Sequence, residues 1–171
     1  MRLFLALMPP PELRMQLGML ADAAHARCGG RRMPDESLHL TLAFLGEVPK
    51  ARVDALAEWT HRLAPTSGEW RLDAWGRFQR PGIVWVGGQA PDPALVALHC
   101  RLWDELESQG LKGRPSRYVP HVTLLRRAER LETEGLPVSA LTWRYNRFEL
   151  IQSITDARGS RYVSLARSLE R

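Results

Sequence analysis

Two stretches decide the fold: Ser37-Leu38-His39-Leu40-Thr41-Leu42-Ala43-Phe44-Leu45-Gly46 and Pro120-His121-Val122-Thr123-Leu124-Leu125-Arg126. Each reads as a leucine-rich strand that begins with a histidine and continues with Thr-Leu two residues on. Side chains alternate along a strand, so His39 and Thr41 emerge on one face while Leu38, Leu40 and Leu42 go to the other. In the second stretch His121 and Thr123 share a face, opposite Val119, Val122 and Leu124. Strict alternation from His121 places Arg126 on the apolar face, so any role for it beside the histidine requires the strand to twist or end there.

The flanks of the two stretches repeat the same order. Arg2 to Met8 is a loosely alternating strand, and Pro11-Glu12 suits the first turn of a helix because proline has no N–H to leave unbonded there. Leu13, Leu17, Leu20, Ala21 and Ala24 keep helical spacing until Gly29-Gly30. Ile83 to Gly87 is the matching strand of the second half, Asp92 is a candidate N-cap, and Leu95, Leu98, Leu102 and Leu106 lie on one helix face. A further helix is expected over Ala51 to Leu63 and strands over Trp70 to Trp75, Arg144 to Ser153 and Tyr162 to Leu169, with Gly76 to Gly82 as a loop. The predicted fold is α+β: two pseudo-symmetric lobes of antiparallel sheet, helices outside, and a cleft between them. One domain, 1–171, is expected, with lobes near 1–80 and 81–171 and strand exchange between them left open.

Composition sets the remaining bounds. The chain has 171 residues, 44% of them hydrophobic and 25% charged, which excludes disordered, collagenous and coiled-coil classes. No apolar run approaches the ~20 residues of a membrane helix, and Leu3 to Pro10 lacks the flanks of a secretory leader, so a cytoplasmic location is expected. Cys28 and Cys100 are too few and too separated for a disulfide framework or a zinc site. The net charge is +5, and the cations are almost all arginine, whose planar fork suits phosphate oxygens. Biased codon usage would give the same skew.

A single histidine on an apolar strand is most often a hydrogen-bonded core residue, but two copies of His-x-Thr-Leu at matching places point to chemistry. Facing each other across a cleft, one neutral and one protonated imidazole are suited to taking a proton from a nucleophile and giving one to a leaving oxygen of a phosphate diester. Both can do so near neutral pH if they titrate near the unperturbed value of about 6.5. The threonine hydroxyls can hold phosphate oxygens, and the mechanism needs no metal and no cofactor. His25, His61 and His99 show no such pairing and read as structural or solvated.

The two motifs closely resemble those of the two-histidine (2H) phosphoesterases. Within that superfamily the chain is similar to the bacterial RNA 2′,3′-cyclic phosphodiesterases, also called the 2′-5′ RNA ligase family. The resemblance covers nearly the whole chain, including the Arg-Leu-Phe-Leu-Ala-Leu opening and the Ile83-Val84-Trp85-Val86-Gly87 strand. It implies His39 as proton donor to the departing ribose oxygen and His121 as proton acceptor from water. It also implies Thr41 and Thr123 as phosphate holders, Arg126 as a neutraliser of phosphate charge, and a 2′-phosphate product. The implied partner is RNA or a nucleotide with a 2′,3′-cyclic phosphate end, bound by a monomer.

Residues outside the motifs could also touch RNA. Arg77-Phe78-Gln79-Arg80 combines an aromatic with two cations, so Phe78 is a candidate base platform or else a loop anchor. Arg31, Arg32, Arg114 and Arg117, in the loops leading to the histidines, either ring the cleft or are simply solvated. Three other readings stay open: 2′-5′ ligation of tRNA halves, a non-catalytic RNA-binding module, and a metal-dependent hydrolase. Retention of both histidines and both threonines argues against the binding module, which would need only the arginines.

Overall fold

The computed structural model describes residues 1–64, 67–137 and 140–169. Strand β1 (Arg2–Leu7) leads to helix α1 (Pro11–Cys28), the short β2 (Arg31–Arg32), a 3-10 turn at Asp35–Ser37 and β3 (Leu40–Glu47). Helix α2 (Lys50–Arg62) precedes β4 (Gly68–Leu72), β5 (Ala74–Phe78) and β6 (Ile83–Gly87). Helix α3 (Pro93–Ser108) is followed by β7 (Val122–Arg126), β8 (Leu141–Tyr145), β9 (Glu149–Asp156) and β10 (Gly159–Arg167). None of the helices among the described residues is long and apolar enough to cross a membrane.

Local chemistry explains the helix ends. Pro11 opens α1 at a position whose N–H would be unbonded, and Gly29, at φ +69°, closes it by donating its N–H to the His25 carbonyl. Asp92 caps α3 by accepting from the Leu95 N–H at 3.0 Å. The buried positions of α1 include Leu13, Leu17, Leu20, Ala21 and Ala24, and those of α3 Leu95, Leu98, Leu102 and Leu106.

The main sheet runs β10-β9-β1-β3-β7-β6-β5, with β2 also paired to β7. Every pairing is antiparallel. Among the described residues the two half-sheets pair only through Leu40 of β3 and Val122 of β7, the first residues of their strands. The helices cross this seam: α1 packs on β7 and α3 on β3. The carboxy-terminal β9 and β10 extend the half that contains β1, while β5 extends the half that contains β6 and β7. Strands β4 and β8 form a separate ribbon in which Trp70 and Trp143 are partners, their ring centroids 5.8 Å apart.

Several boundaries differ from the sequence reading. Trp70 to Trp75 is two strands in two sheets, because the chain turns at Asp73 between the ribbon and the main sheet. Arg144 to Ser153 is divided in the same way at residues 146–148. The expected loop from Gly76 begins later, since β5 continues to Phe78 through its pairing with Ile83. His39 and His121 each sit one residue before their strand rather than on its first position.

Gly76 is required where it stands. It is the ladder partner of Trp85, and a β-carbon there would lie 2.1 Å from the indole. Gly76→Ala is expected to lower stability by about 1–3 kcal/mol through overpacking, read as a reduced urea midpoint. An unchanged midpoint would show that Trp85 is free to move aside.

Candidate active site

The two histidines are held in the same way. His39 Nδ1 lies 2.7 Å from the carbonyl of Ser37, and His121 Nδ1 lies 2.7 Å from the carbonyl of Val119. A carbonyl can only accept, so each Nδ1 carries the proton of the neutral ring and each Nε2 is left as the reactive nitrogen. His39 Nε2 lies 2.9 Å from the Thr41 hydroxyl. Each ring is walled by two aromatics. Phe4 and Tyr162 lie 4.8 and 5.3 Å from His39 between centroids, and Phe78 and Trp85 lie 5.2 and 5.6 Å from His121.

The Leu40–Val122 pair brings these units together. Because the strands run antiparallel, the position before Leu40 is opposite the one after Val122, and the converse holds. His39 therefore flanks that pair on the side of Thr123, and His121 on the side of Thr41. The hydroxyl contact of His39 Nε2 is within its own half, to Thr41.

Both motif strands then break alternation at the same place. In the β1–β3 ladder, Leu5 and Ala6 face Ala43 and Thr41, which leaves Leu42 as an extra residue. In the β6–β7 ladder, Val84 and Trp85 face Leu125 and Thr123, which leaves Leu124 as an extra residue. These are β-bulges, and each lets two successive side chains enter the core: Leu42 with Ala43, and Leu124 with Leu125, all at most 1% exposed. The phase is reset after each bulge, so Phe44 and Arg126 return to the face of their histidines. Arg126 thus reaches the site that strict alternation would have denied it.

The bulged carbonyls find partners outside the ladder. Tyr118 donates its hydroxyl to the Thr41 carbonyl at 2.7 Å, and His99 Nδ1 lies 2.6 Å from the Leu42 carbonyl while stacking on Tyr118 at 3.8 Å. The Met33 N–H donates to the Leu124 carbonyl at 2.9 Å.

A groove of about 630 Å³ opens on this face, lined by Phe4, His39, Thr41, Phe44, Arg126 and Tyr162, and also by Arg2, Arg31 and the β9–β10 hairpin. It does not extend to His121, Thr123 or Phe78, which reach His39 only across the strand pair. Phe78 packs edge-on against His121 from a strand, not from a loop. Of the four loop arginines, Arg31 and Arg32 line the groove. Arg32 is held by Asp22 and Asp35, Arg114 is tied to Asp104 and Glu107, and Arg117 lines a different pocket beside Trp70 and Pro120. Among the described residues no three His, Cys, Asp or Glu side chains cluster as metal ligands.

The expectation that both histidines titrate near their ordinary value is corrected. Burial lowers His39 to about 4, opposed by its bond to the Ser37 carbonyl and reinforced by His121, Arg126 and Arg14. Burial also lowers His121, with Arg126 adding to the effect. Both rings are neutral in the unliganded protein at pH 7.

Sequence reasoning missed Phe4, Tyr162 and Trp85 as ring walls, and His99 and Tyr118 as bulge partners. The only signal for the walls lay in the paired strands, where Phe4 and Trp85 precede the motifs at similar distances. The unfolded chain takes up protons on His39 near pH 6.5, whereas the folded one waits until about 4, so stability falls as pH drops through that window. His39→Gln should make this loss shallower in pH-resolved urea unfolding; an identical slope would refute the buried neutral ring.

The geometry has close counterparts. The family model of the 2′-5′ RNA ligase superfamily matches residues 9–156. An RNA 2′,3′-cyclic phosphodiesterase of Escherichia coli K12 is 34% identical over 169 residues, 97% of this chain and 94% of that protein. The enzyme of the same name from Thermus thermophilus is 29% identical across 96% of this chain and 88% of its own length. The crystal structure of E. coli LigT complexed with 3′-AMP superposes with a TM-score of 0.82 at 31% identity, covering 97% of this chain and 95% of that one. The chain, with its doubled His-x-Thr strands, belongs to the 2′-5′ RNA ligase superfamily.

Proposed function

We propose that this protein hydrolyses the 2′,3′-cyclic phosphodiester at the end of RNA, or of a nucleotide, leaving a 2′-phosphate. The observation that carries the reading is the pair of imidazoles, each with Nδ1 fixed on a carbonyl two residues back and each directly ahead of the Leu40–Val122 pair that joins the two halves. The similarity to relatives named RNA 2′,3′-cyclic phosphodiesterase supports it.

His121, neutral, takes a proton from water as the oxygen attacks phosphorus. His39, protonated, gives its proton to the 3′ oxygen as the P–O bond breaks. The hydroxyls of Thr41 and Thr123 hold the non-bridging oxygens, and Arg126 offsets the charge that grows on them. Phe78 keeps the His121 ring in place from one side. Solvent then returns a proton to His39 and removes one from His121. The chemistry proposed needs no metal and no second chain, and an RNA end as substrate is in keeping with a cytoplasmic monomer.

The direct test is incubation with adenosine 2′,3′-cyclic phosphate in excess chelator, with the product identified by phosphorus NMR. A 2′-phosphate is expected, and His39→Ala or His121→Ala should each lower turnover by roughly a hundred- to ten-thousandfold. A 3′-phosphate would reverse the orientation of the ribose, and near-normal turnover in either variant would end the two-histidine mechanism.

The lowered histidines also shape the pH profile. The active pair carries one proton, and in the free protein that form is most abundant on the acid side of neutrality. A bound phosphate anion favours imidazolium and raises both values. The plot of kcat/KM against pH should therefore be bell-shaped with an acidic maximum, and that of kcat should peak at higher pH. Coincident maxima would contradict the assignment.

A further inference from the structure

Arg31 and Arg126 are partners in the β2–β7 ladder. Directly opposed residues of an antiparallel pair project from one face, and like charges so placed repel each other. Both line the groove, and among the described residues neither has an ion-pair partner, whereas the neighbouring Arg32 is held by two aspartates. Arg2 enters the same groove from β1, its guanidinium 5.0 Å from the centre of the Phe44 ring. The charges of Arg126, Arg2 and Arg31 all favour ionisation of the Tyr162 phenol against the opposing effect of its burial, so the three converge on one wall.

That is more positive charge than the reacting group needs. A cyclic phosphodiester carries one negative charge, and Arg126 beside the histidines is placed to meet it. Arg2 and Arg31 are left over, in the groove that also takes in Thr155, Arg158 and Ser160 of the β9–β10 hairpin. A nucleotide ending in a 2′,3′-cyclic phosphate has one other anionic group of its own, the phosphate on its 5′ side. In a strand this is the last internucleotide diester.

We propose that Arg31, together with Arg2, forms a second anion subsite that holds the phosphate on the 5′ side of the terminal nucleotide. The preferred substrate is then an RNA strand or a 5′-phosphorylated nucleotide, not a nucleoside 2′,3′-cyclic phosphate. A phosphate beside Arg31 would offset its repulsion with Arg126. The inference rests on the cyclic-phosphate reading for the identity of the reacting end. The placement of the subsite rests on the ladder and the groove.

The test compares kcat/KM for adenosine 2′,3′-cyclic phosphate with that for its 5′-phosphorylated form at low salt, in the wild type, Arg31→Ala and Arg31→Lys. The wild type should favour the 5′-phosphorylated substrate by roughly tenfold or more, mainly through KM, as expected for a charge-assisted contact. Arg31→Ala should bring the ratio close to one, and Arg31→Lys should keep part of it, since charge remains but the planar fork is lost. The wild-type preference should shrink as salt is added. A wild-type ratio near one, or a ratio unaffected by Arg31→Ala, overturns the subsite while leaving the hydrolysis intact. If neither cyclic ester is turned over, the cyclic-phosphate reading fails instead. Binding of adenosine 5′-monophosphate then decides the subsite by itself: weakening in Arg31→Ala supports it, and equal affinity refutes it.

Discussion

The molecule depends on a ladder contact one residue pair long. Leu40 and Val122 are the first residues of their strands, and the two half-sheets diverge from that point. A longer pairing would have zipped the motifs into a flat sheet, with the residues before each strand tied into the ladder. With only one pair, the peptide ahead of each strand stays outside the regular ladder. Its carbonyls at Ser37 and Val119 are free to take the imidazole N–H of the residue two further on. The chemistry of the site is thus a by-product of where pairing stops. The apolar faces of the helices reinforce this short seam, because α1 packs on β7 and α3 on β3, each across to the opposite half.

The bulges are the second device, and they solve a conflict within each strand. A strand with one face on the core can present polar groups only at every other position. Thr123 and Arg126 are three apart, so both can share the face of His121 only if an extra residue is absorbed between them. Leu124 is absorbed by doubling the inward step, and its carbonyl accepts from the Met33 N–H, one step on from the β2–β7 pairing. On the other strand Tyr118 and His99 serve the corresponding carbonyls, which gives these buried polar groups a structural reason to be there.

Much of this was legible in the chain, and the parts that were not share a cause. Strand and helix order, the Asp92 cap and the shared face of each His-Thr pair follow from period, turn residues and alternation, all local properties. The division of Trp70 to Trp75 between two sheets was not legible, because nothing in six residues says which distant strand each half will pair with. Alternation alone leaves the face of Arg126 undecided, because Leu124-Leu125 reads equally well as a strand edge or as a bulge. The depressed histidines were hidden for the same reason: the burial that lowers them comes from Phe4, Tyr162, Phe78 and Trp85, which lie far from the motifs in sequence.

Phe44 and Arg126 occupy the same place in the two halves, five residues after the histidine and directly past the bulge. One is an aromatic ring, 46% exposed, and the other is a cation. A scaffold with an approximate two-fold axis would by itself accept a ligand equally well in either of two opposed orientations. Exchanging a flat apolar surface for a charge at one of two equivalent positions removes that degeneracy. The groove acquires a polarity, with an apolar ring at one of the two equivalent positions and a cation at the other.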